Sequence, residues 1–222
     1  EETLTGTECF LVRNVTLTPL AGSTATRDFI RPYFGNSSTI QLDQHYEVQF
    51  EVELQSSGAA GTRPAFGDAL ICSAMSETVT PSTKVEYKPV SDPAVPGDPL
   101  PSATIAVYMD GILHTMVGSV GTWSLNLARG ALPTINFTFW GSYVAPEDAT
   151  PLTPVFTDFK VPLGANSLNT QTVTLFGQAL CMESFSFDIA NNLVFRDLPG
   201  CDPLAMVTNR APSGSIQFQL TP

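Results

Sequence analysis

Two histidines, His45 and His114, are the side chains best suited to acid–base chemistry near neutral pH. They fall in separate predicted strands, and His114 would need a distant serine to complete a catalytic dyad. Glu51 and Glu53 have a spacing that could suit a glycosidase carboxylate pair, but adjacent acids on one strand face are far more often a solvated surface. The sequence contains no H-E-x-x-H, G-x-S-x-G or P-loop pattern. We therefore expect no enzyme activity, no cofactor and no metal.

Four cysteines, at positions 9, 72, 181 and 201, are far apart and form no C-x-x-C pair. This spacing indicates neither a zinc site nor a small disulfide scaffold. We expect buried free thiols. One disulfide between distant cysteines is the alternative, and it would imply an oxidising compartment.

The composition favours strands and turns over helices. Of the 222 residues, 25 are Thr, 18 Ser, 16 Gly and 18 Pro, and only 14% are charged. The formal charge of −11 and the absence of a basic cluster argue against a protein that binds the phosphate groups of nucleic acid. No apolar stretch is long enough to span a membrane, and no repeat or linker divides the chain. We predict one all-β, mainly antiparallel domain over residues 1–222.

The clearest strand is predicted over residues 45–55, where apolar and polar residues alternate strictly. Its polar positions put Glu47, Glu51 and Glu53 on one wet, acidic face. Asp110 and Gly111 separate two apolar runs and predict a hairpin turn with positive φ angles. A second hairpin is predicted at Asn191–Asn192. Further strands are predicted over residues 10–20, 123–127, 135–139, 170–177 and 216–220.

Two segments break the strand pattern. Residues 64–75 have helical spacing and predict one short helix that opens near Pro64, with Thr62 able to cap it. Residues 87–102 carry five prolines and predict a long, stiff loop, a kind of segment that is usually functional or interacting. Its prolines are Pro89, Pro93, Pro96, Pro99 and Pro101.

Several stretches of the chain, in order, resemble the tail tube (major tail) proteins of long non-contractile-tailed bacteriophages. They are R-N-V-T-L-T-P-L (13–20), R-D-F-I-R-P (27–32), P-A-F-G (64–67), Y-K-P-V (87–90), Y-M-D-G (108–111), Y-V-A-P (143–146) and N-R-A-P-S-G (209–214). The resemblance covers nearly the whole chain. Residues 1–35 correspond to an N-terminal arm and first strand.

The resemblance implies a β-sandwich of two roughly orthogonal sheets flanked by one short helix. It also implies a homohexameric ring lined by a continuous β-barrel, with stacked rings forming the tail of the virion. Such a tube is assembled in the host cytoplasm around the tape measure protein, and it meets tail terminator and distal tail proteins. Double-stranded DNA passes through without specific binding, and no membrane partner is implied.

Within this family reading, Glu47, Glu51 and Glu53 are candidates for lining the lumen, where acidic groups would repel phosphates. The alternative is that this face looks outward or contacts the next subunit. Candidate subunit or ring contacts are Arg13, Arg27, Arg31, Pro89, Pro93, Pro96 and Pro99. Competing hypotheses are another ring-forming tail component, a related secretion tube protein, and a secreted carbohydrate-binding β-sandwich with Trp123 or Trp140 as platform.

Overall fold

The computed structural model describes residues 4–91 and 100–219, and nearly all regular structure in these ranges is β. A 3-10 helix spans Gly6–Glu8, and one α-helix, α1, spans Gly67–Ile71. The strands are β1 (Arg13–Ala21), β2 (Thr24–Thr26), β3 (Thr39–Gln41), β4 (His45–Glu53), β5 (Met75–Thr80), β6 (Lys84–Pro89), β7 (Ala103–Met109), β8 (Ile112–Ala128), β9 (Thr134–Tyr143), β10 (Glu147–Asp148), β11 (Thr174–Leu175), β12 (Gln178–Ala179), β13 (Cys181–Asp188), β14 (Asn191–Arg196), β15 (Leu204–Arg210) and β16 (Ser213–Gln219).

The main sheet is antiparallel, with the order β1-β4-β9-β8-β13-β16, and β7 and β10 also pair with β8. Strand β8 is its organising element because its 17 residues pair with β9 along one edge and with β7 and then β13 along the other. The register with β9 shifts between Val117 and Val120, next to Gly118 with φ 61°. This irregularity bends the strand so that it serves both halves of the sheet.

Other chain segments fill the part of the β8 edge that lies between β7 and β13. The Gly121 amide donates to the Cys72 carbonyl at 3.1 Å, and the Ile189 amide donates to the Trp123 carbonyl at 3.1 Å. The Gly121 carbonyl accepts a hydrogen bond of 3.0 Å from Asn191 Nδ2. These backbone N–H and C=O groups of β8 therefore each have a hydrogen-bond partner, which buried backbone groups require.

The core lies on one face of the main sheet. In β4, Tyr46, Val48 and Val52 are almost fully buried, and Phe137 and Phe139 of neighbouring β9 are equally so. On top of them pack Phe66, which precedes α1, Leu70 of α1 and Met75 of β5. The predicted all-β, mainly antiparallel sandwich with one short helix is confirmed, and the single chain contains no closed barrel among its described residues.

The hairpin at Asp110–Gly111 is confirmed. The two residues join β7 to β8 and have φ angles of 51° and 84°, the left-handed pair that a two-residue hairpin turn requires. The strand predicted over 45–55 is also confirmed as β4, the run at 135–139 lies in β9, and the described part of the run at 216–220, residues 216–219, lies in β16.

The second predicted hairpin, at Asn191–Asn192, is wrong. Strand β13 pairs with β8 and β16, whereas β14 pairs with β15, so the chain leaves the main sheet between them. The left-handed residue is Ala190, with φ 48°, and Asn191 is already a buried strand residue. Tertiary hydrogen bonds to the Asn191 side chain outweigh the local turn preference of Asn-Asn.

The helix and the proline-rich loop differ in extent from the prediction. Helix α1 has five residues and begins after Phe66 without a side-chain cap, so Thr62 does not cap it. Residues 87–89 belong to β6, where Pro89 is the partner of Met75, so the loop begins later than predicted. Proline has no backbone N–H to donate, but β6 belongs to a two-stranded sheet and is an edge strand, so Pro89 is tolerated there. Pro93, Pro96 and Pro99 lie outside the described residues.

Candidate assembly surfaces

The face of the main sheet that points away from the core is polar across six strands. Directly opposed residues of antiparallel strands share a face, so the strand registers define its members. Its polar members are Thr16, Thr18, Glu47, Gln49, Glu51, Glu53, Thr134, Asn136, Thr138, Thr122, Ser124, Asn126, Ser184, Ser186, Asp188, Ser213, Ser215 and Gln217. The same registers also place the apolar Trp140, Val120 and Ala128 on this face. We call this surface the polar face.

Most side chains of the polar face are short and neutral, and several of those on β13 and β16 bond to one another. Ser186 and Ser215 share a hydrogen bond of 2.8 Å between their hydroxyls, and Ser184 donates to Gln217 at 3.0 Å. These hydrogen bonds between side chains of β13 and β16 leave this part of the polar face neutral, with short hydroxyl side chains and one amide at its surface.

The charge on the polar face is concentrated on β4. Glu51 accepts hydrogen bonds from Arg13 at 2.5 Å and from Asn14 at 2.8 Å, and Arg13 also lies 3.6 Å from Glu53. Burial raises the pKa of Glu51, but the bonds from Arg13 and Asn14 outweigh it and hold the pKa below its ordinary value. Arg13, which we expected at a subunit contact, therefore forms ion pairs within its own chain. Its partners are Glu51 and Glu53, two of the three acids expected to line the lumen.

The remaining acid on β4, Glu47, accepts a hydrogen bond of 2.8 Å from Gln49. With Asp188 on β13, the polar face holds four carboxylates against the single guanidinium of Arg13. The half-buried state of Glu47, Glu51 and Glu53 shows that the face is less wet than strand alternation alone predicts. Its net charge is nevertheless negative.

One end of the polar face is covered by the β14–β15 hairpin. The His45 ring stacks on Phe195 with centroids 4.8 Å apart, and Ser142 Oγ donates to the Pro203 carbonyl at 2.9 Å. His45 Nδ1 is buried and has no partner among the described residues. Burial lowers the pKa of His45, which favours the neutral ring. Sequence reasoning missed this covered end because neither hairpin strand is adjacent to β4 in sequence.

A second surface is an apolar arm, residues 24–41, formed by the β2–β3 hairpin and the loop between its strands. The side chains of Ile30 and Phe34 are fully exposed, and Phe29 and Tyr33 are more than half exposed. Arg27 lies over the Phe29 ring, 4.9 Å from its centroid. The arm therefore carries Arg27 together with a cluster of large apolar side chains that no other described part of the chain covers.

A third surface is an apolar cleft of about 480 Å³ between the loop at 54–62 and the β5–β6 hairpin. Its apolar lining includes Leu54, Ala59, Ala60, Pro64, Phe66, Leu70, Met75, Val85, Trp123, Leu125 and Ile135. A polar cluster lies beside the cleft. The Tyr87 hydroxyl donates a hydrogen bond of 2.5 Å to Glu77 Oε2, and this oxygen lies 3.3 Å from Arg63 Nε. Burial, followed by the bond to Glu77, raises the pKa of Tyr87, so its hydroxyl remains a donor.

The residues considered for catalysis do not form a catalytic arrangement. His114 Nδ1 lies 3.1 Å from the Tyr46 hydroxyl rather than near a serine, and Glu51 is bound to Arg13. Within residues 4–91 and 100–219, no group of three or more His, Cys, Asp or Glu could hold a metal ion. No helix among the described residues is long and apolar enough to cross a membrane.

All four cysteines are free thiols. The expectation that they are buried holds only for Cys72, whose pKa burial raises to about 11; Cys181 and Cys201 are exposed and Cys9 is half-buried. The disulfide alternative is therefore not realised among the described residues.

Within the part of the chain that the structure describes, a sandwich with two open sheet edges and an uncovered apolar arm has the features of a protein that associates with copies of itself. Comparison with protein families matches residues 1–221 to the model described as "Phage tail tube protein", so the chain belongs to this family of structural tail proteins. It is a component of the phage virion tail that self-assembles into the tail tube, and it is put together in the host cytoplasm during infection. Comparison with curated proteins gives no significant match.

Proposed function

We propose that six copies of this protein form a ring and that stacked rings form the conduit through which double-stranded DNA passes into the host cell. The tube assembles around the tape measure protein and meets tail terminator and distal tail proteins at its ends. The observation that carries this proposal is the polar face, a negatively charged surface bounded by two edge strands that have no second partner strand among the described residues.

The two edge strands supply the means of closing a ring. Strands β1 and β16 stand at opposite ends of the described sheet, and their residues are mostly exposed. Each therefore offers a row of backbone N–H and C=O groups that can pair with another chain. Pairing β16 of one copy with β1 of the next continues the sheet around the ring and removes all free edges, as barrel closure does.

The polar face suits the inner wall of such a ring. Six copies carry six times −11, or −66, so the whole assembly repels phosphate. Glu47, Glu51 and Glu53 contribute carboxylates, and the ion pairs of Arg13 keep its guanidinium from binding passing DNA. The neutral hydroxyls of β13 and β16 offer the backbone of DNA no cation to adhere to.

Enzymatic and carbohydrate-binding roles fit the structure less well. Trp123 packs against Phe187 with ring centroids 5.5 Å apart, and Trp140 packs beside His45 at 5.0 Å. Neither indole forms an open stacking platform of the kind that sugar recognition uses. The chain acts through assembly and does not turn over a substrate.

The test is negative-stain electron microscopy of the purified protein at high concentration, with native mass spectrometry to count copies per ring. Because salt screens the mutual repulsion of acidic subunits, 1 M salt is expected to promote assembly. Hollow, striated tubes and a hexamer mass would support the proposal. A protein that stays monomeric, even when seeded with tail tips, would refute it.

The lumen assignment is tested separately by cysteine labelling in a Cys181→Ser/Cys201→Ser background, which removes the exposed native thiols. Ser215→Cys on the polar face should react in assembled tubes with a small maleimide but hardly with a large polymer-linked one. Phe176→Cys, fully exposed outside that face, is the matched control. Equal reaction of the Ser215→Cys thiol with both reagents would place the polar face outside the tube.

A further inference from the structure

The two ends of the β14–β15 hairpin are held on the main sheet by different groups. At the inner end, the buried Asn191 side chain donates to two carbonyls at 2.8 and 3.0 Å. Near the tip, the Phe195 ring stacks on His45, with centroids 4.8 Å apart and ring planes inclined by 24°. Beside this stack, the Ser142 hydroxyl donates to the Pro203 carbonyl at 2.9 Å. The position of the hairpin tip, residues 194–206, therefore depends on the His45 ring.

The surroundings of His45 disfavour its charged form. The residue is 7% exposed, and its ring packs against both Phe195 and Trp140, the latter with a centroid distance of 5.0 Å. Its Nδ1 is buried, and no described residue offers this atom a hydrogen-bond partner. A protonated imidazole carries an N–H on both nitrogens, so protonation in place buries a charge and leaves the Nδ1 donor without an acceptor. Movement of the hairpin tip away from the sheet removes this cost, because water then reaches the ring.

Two carboxylates, Asp43 and Glu47, oppose this effect of burial because both favour a charged ring. Each already accepts a hydrogen bond from another side chain, and burial outweighs them, so the pKa of His45 lies below its ordinary value. The β9 side chains on the same face, Trp140 and Ser142, carry no charge. The charged side chains of the hairpin tip are all exposed to solvent: Arg196, Asp197 and Asp202. Protonation therefore favours the open position of the tip.

We propose that protonation of His45 releases the hairpin tip, so that the β14–β15 hairpin forms an acid-sensitive cover over one end of the polar face. In neutral solution the ring stack is intact and the tip stays closed. In acid the tip moves away while Asn191 holds the inner end, and the covered end of the polar face becomes accessible. The device lies within one chain, so it does not depend on the proposed ring.

The size of the effect follows from the proton linkage. In the open state His45 regains its ordinary pKa of 6.5, so the open population should rise as the pH falls, by at most about 30-fold between pH 8 and pH 5. The test is hydrogen exchange of the full-length chain below the concentration at which rings form, corrected for the intrinsic effect of pH on exchange. Tip amides should lose protection by about 5- to 30-fold between these pH values. At each pH they should also be less protected than amides of β4 and β9.

Three variants separate the proton from other causes. His45→Phe keeps an aromatic ring against Phe195 but cannot be protonated, so tip exchange should no longer depend on pH. Ser142→Ala removes the hydrogen bond to Pro203, so tip exchange should be about fivefold faster at both pH values and should keep its pH dependence. His114→Gln is the control: it replaces the other histidine of the chain and should behave as the wild type does.

Trp140, which packs against His45, supplies a second readout. In a Trp123→Phe background it is the only tryptophan, and its emission should change as the pH falls from 8 to 5 but stay constant when His45→Phe is added. Tip protection that is independent of pH, or equally pH-dependent in His45→Phe, would overturn the proposal. Tip amides as strongly protected as those of β4 at both pH values would also overturn it, because the tip would then open only with the whole fold.

Discussion

Replacing Asn191 by alanine should destabilise the fold more than any other single change to a polar residue on the β14–β15 hairpin. Asn191 is 6% exposed. Its Nδ2 donates to the carbonyls of Ser73 at 2.8 Å and Gly121 at 3.0 Å, and its Oδ1 accepts from Arg210 Nε at 2.8 Å. This one side chain therefore connects the hairpin to the main sheet and to the turn after α1.

The magnitude follows from the groups that lose their partner. Truncation of Asn191 leaves two carbonyls and one guanidinium N–H unpaired, and each buried unsatisfied group costs about 1–3 kcal/mol. Arg210 keeps its bonds to the carbonyls of Ala74 and Val90, and water can reach part of the site, so we expect a total of about 3–4 kcal/mol. For a chain of this size the melting temperature should fall by about 10 °C.

The assay is thermal and urea unfolding at protein concentrations below those at which rings form, because assembly itself raises apparent stability. Asn192→Ala is the control: it is the next residue of the same strand, is exposed, and loses only a bond of 3.0 Å to Thr208. That surface change should cost about 0.5 kcal/mol. Equal stabilities of the two variants would refute the role given to Asn191.

Three further predictions concern pH and backbone conformation. Burial lowers the pKa of His45, so the folded state binds a proton at this ring less readily than the unfolded state does. The stability of the fold should therefore fall as the pH drops below the ordinary histidine pKa of 6.5. His45→Phe should remove this pH dependence of stability in urea titrations. The pKa of Glu51 is also lowered, so its carboxylate stabilises the fold above its ordinary pKa of 4.5, and this contribution should disappear as the solution becomes more acidic. Arg13→Ala should reduce stability at pH 7 only slightly, because ion pairs of exposed guanidinium groups contribute little, and a loss as large as that of Asn191→Ala in the same urea titrations would contradict this reasoning. Gly111→Ala should lower the stability of the fold by about 1 kcal/mol. The cause is the φ of 84° alone, because no atom lies within 4 Å of the added Cβ. Gly35→Ala is the control: its added Cβ also meets no atom, its φ is not in the left-handed region, and its stability in the same thermal melts should be unchanged.

The strands and the turn with the strongest local patterns were predictable. Alternation along β4 places Tyr46 and Val48 in the core, and the positive φ angles of Asp110 and Gly111 follow from residue types within the turn itself. These features depend on backbone preferences and on the two-residue period of a strand, both of which act over a few neighbouring residues. The net charge of −11 and the family resemblance likewise come from the sequence alone.

Only the tertiary structure decided which segments meet. Asn191 looks locally like a turn residue, but its side chain lies in a buried site between three distant carbonyl and guanidinium groups. The pairing of Arg13 with Glu51, 38 residues away, and the covering of His45 by Phe195 depend on sheet order and register, which no short stretch of sequence specifies. Strand pairing is non-local, so the sequence by itself determined the elements and their faces, while packing determined the polar face, the arm and the cleft.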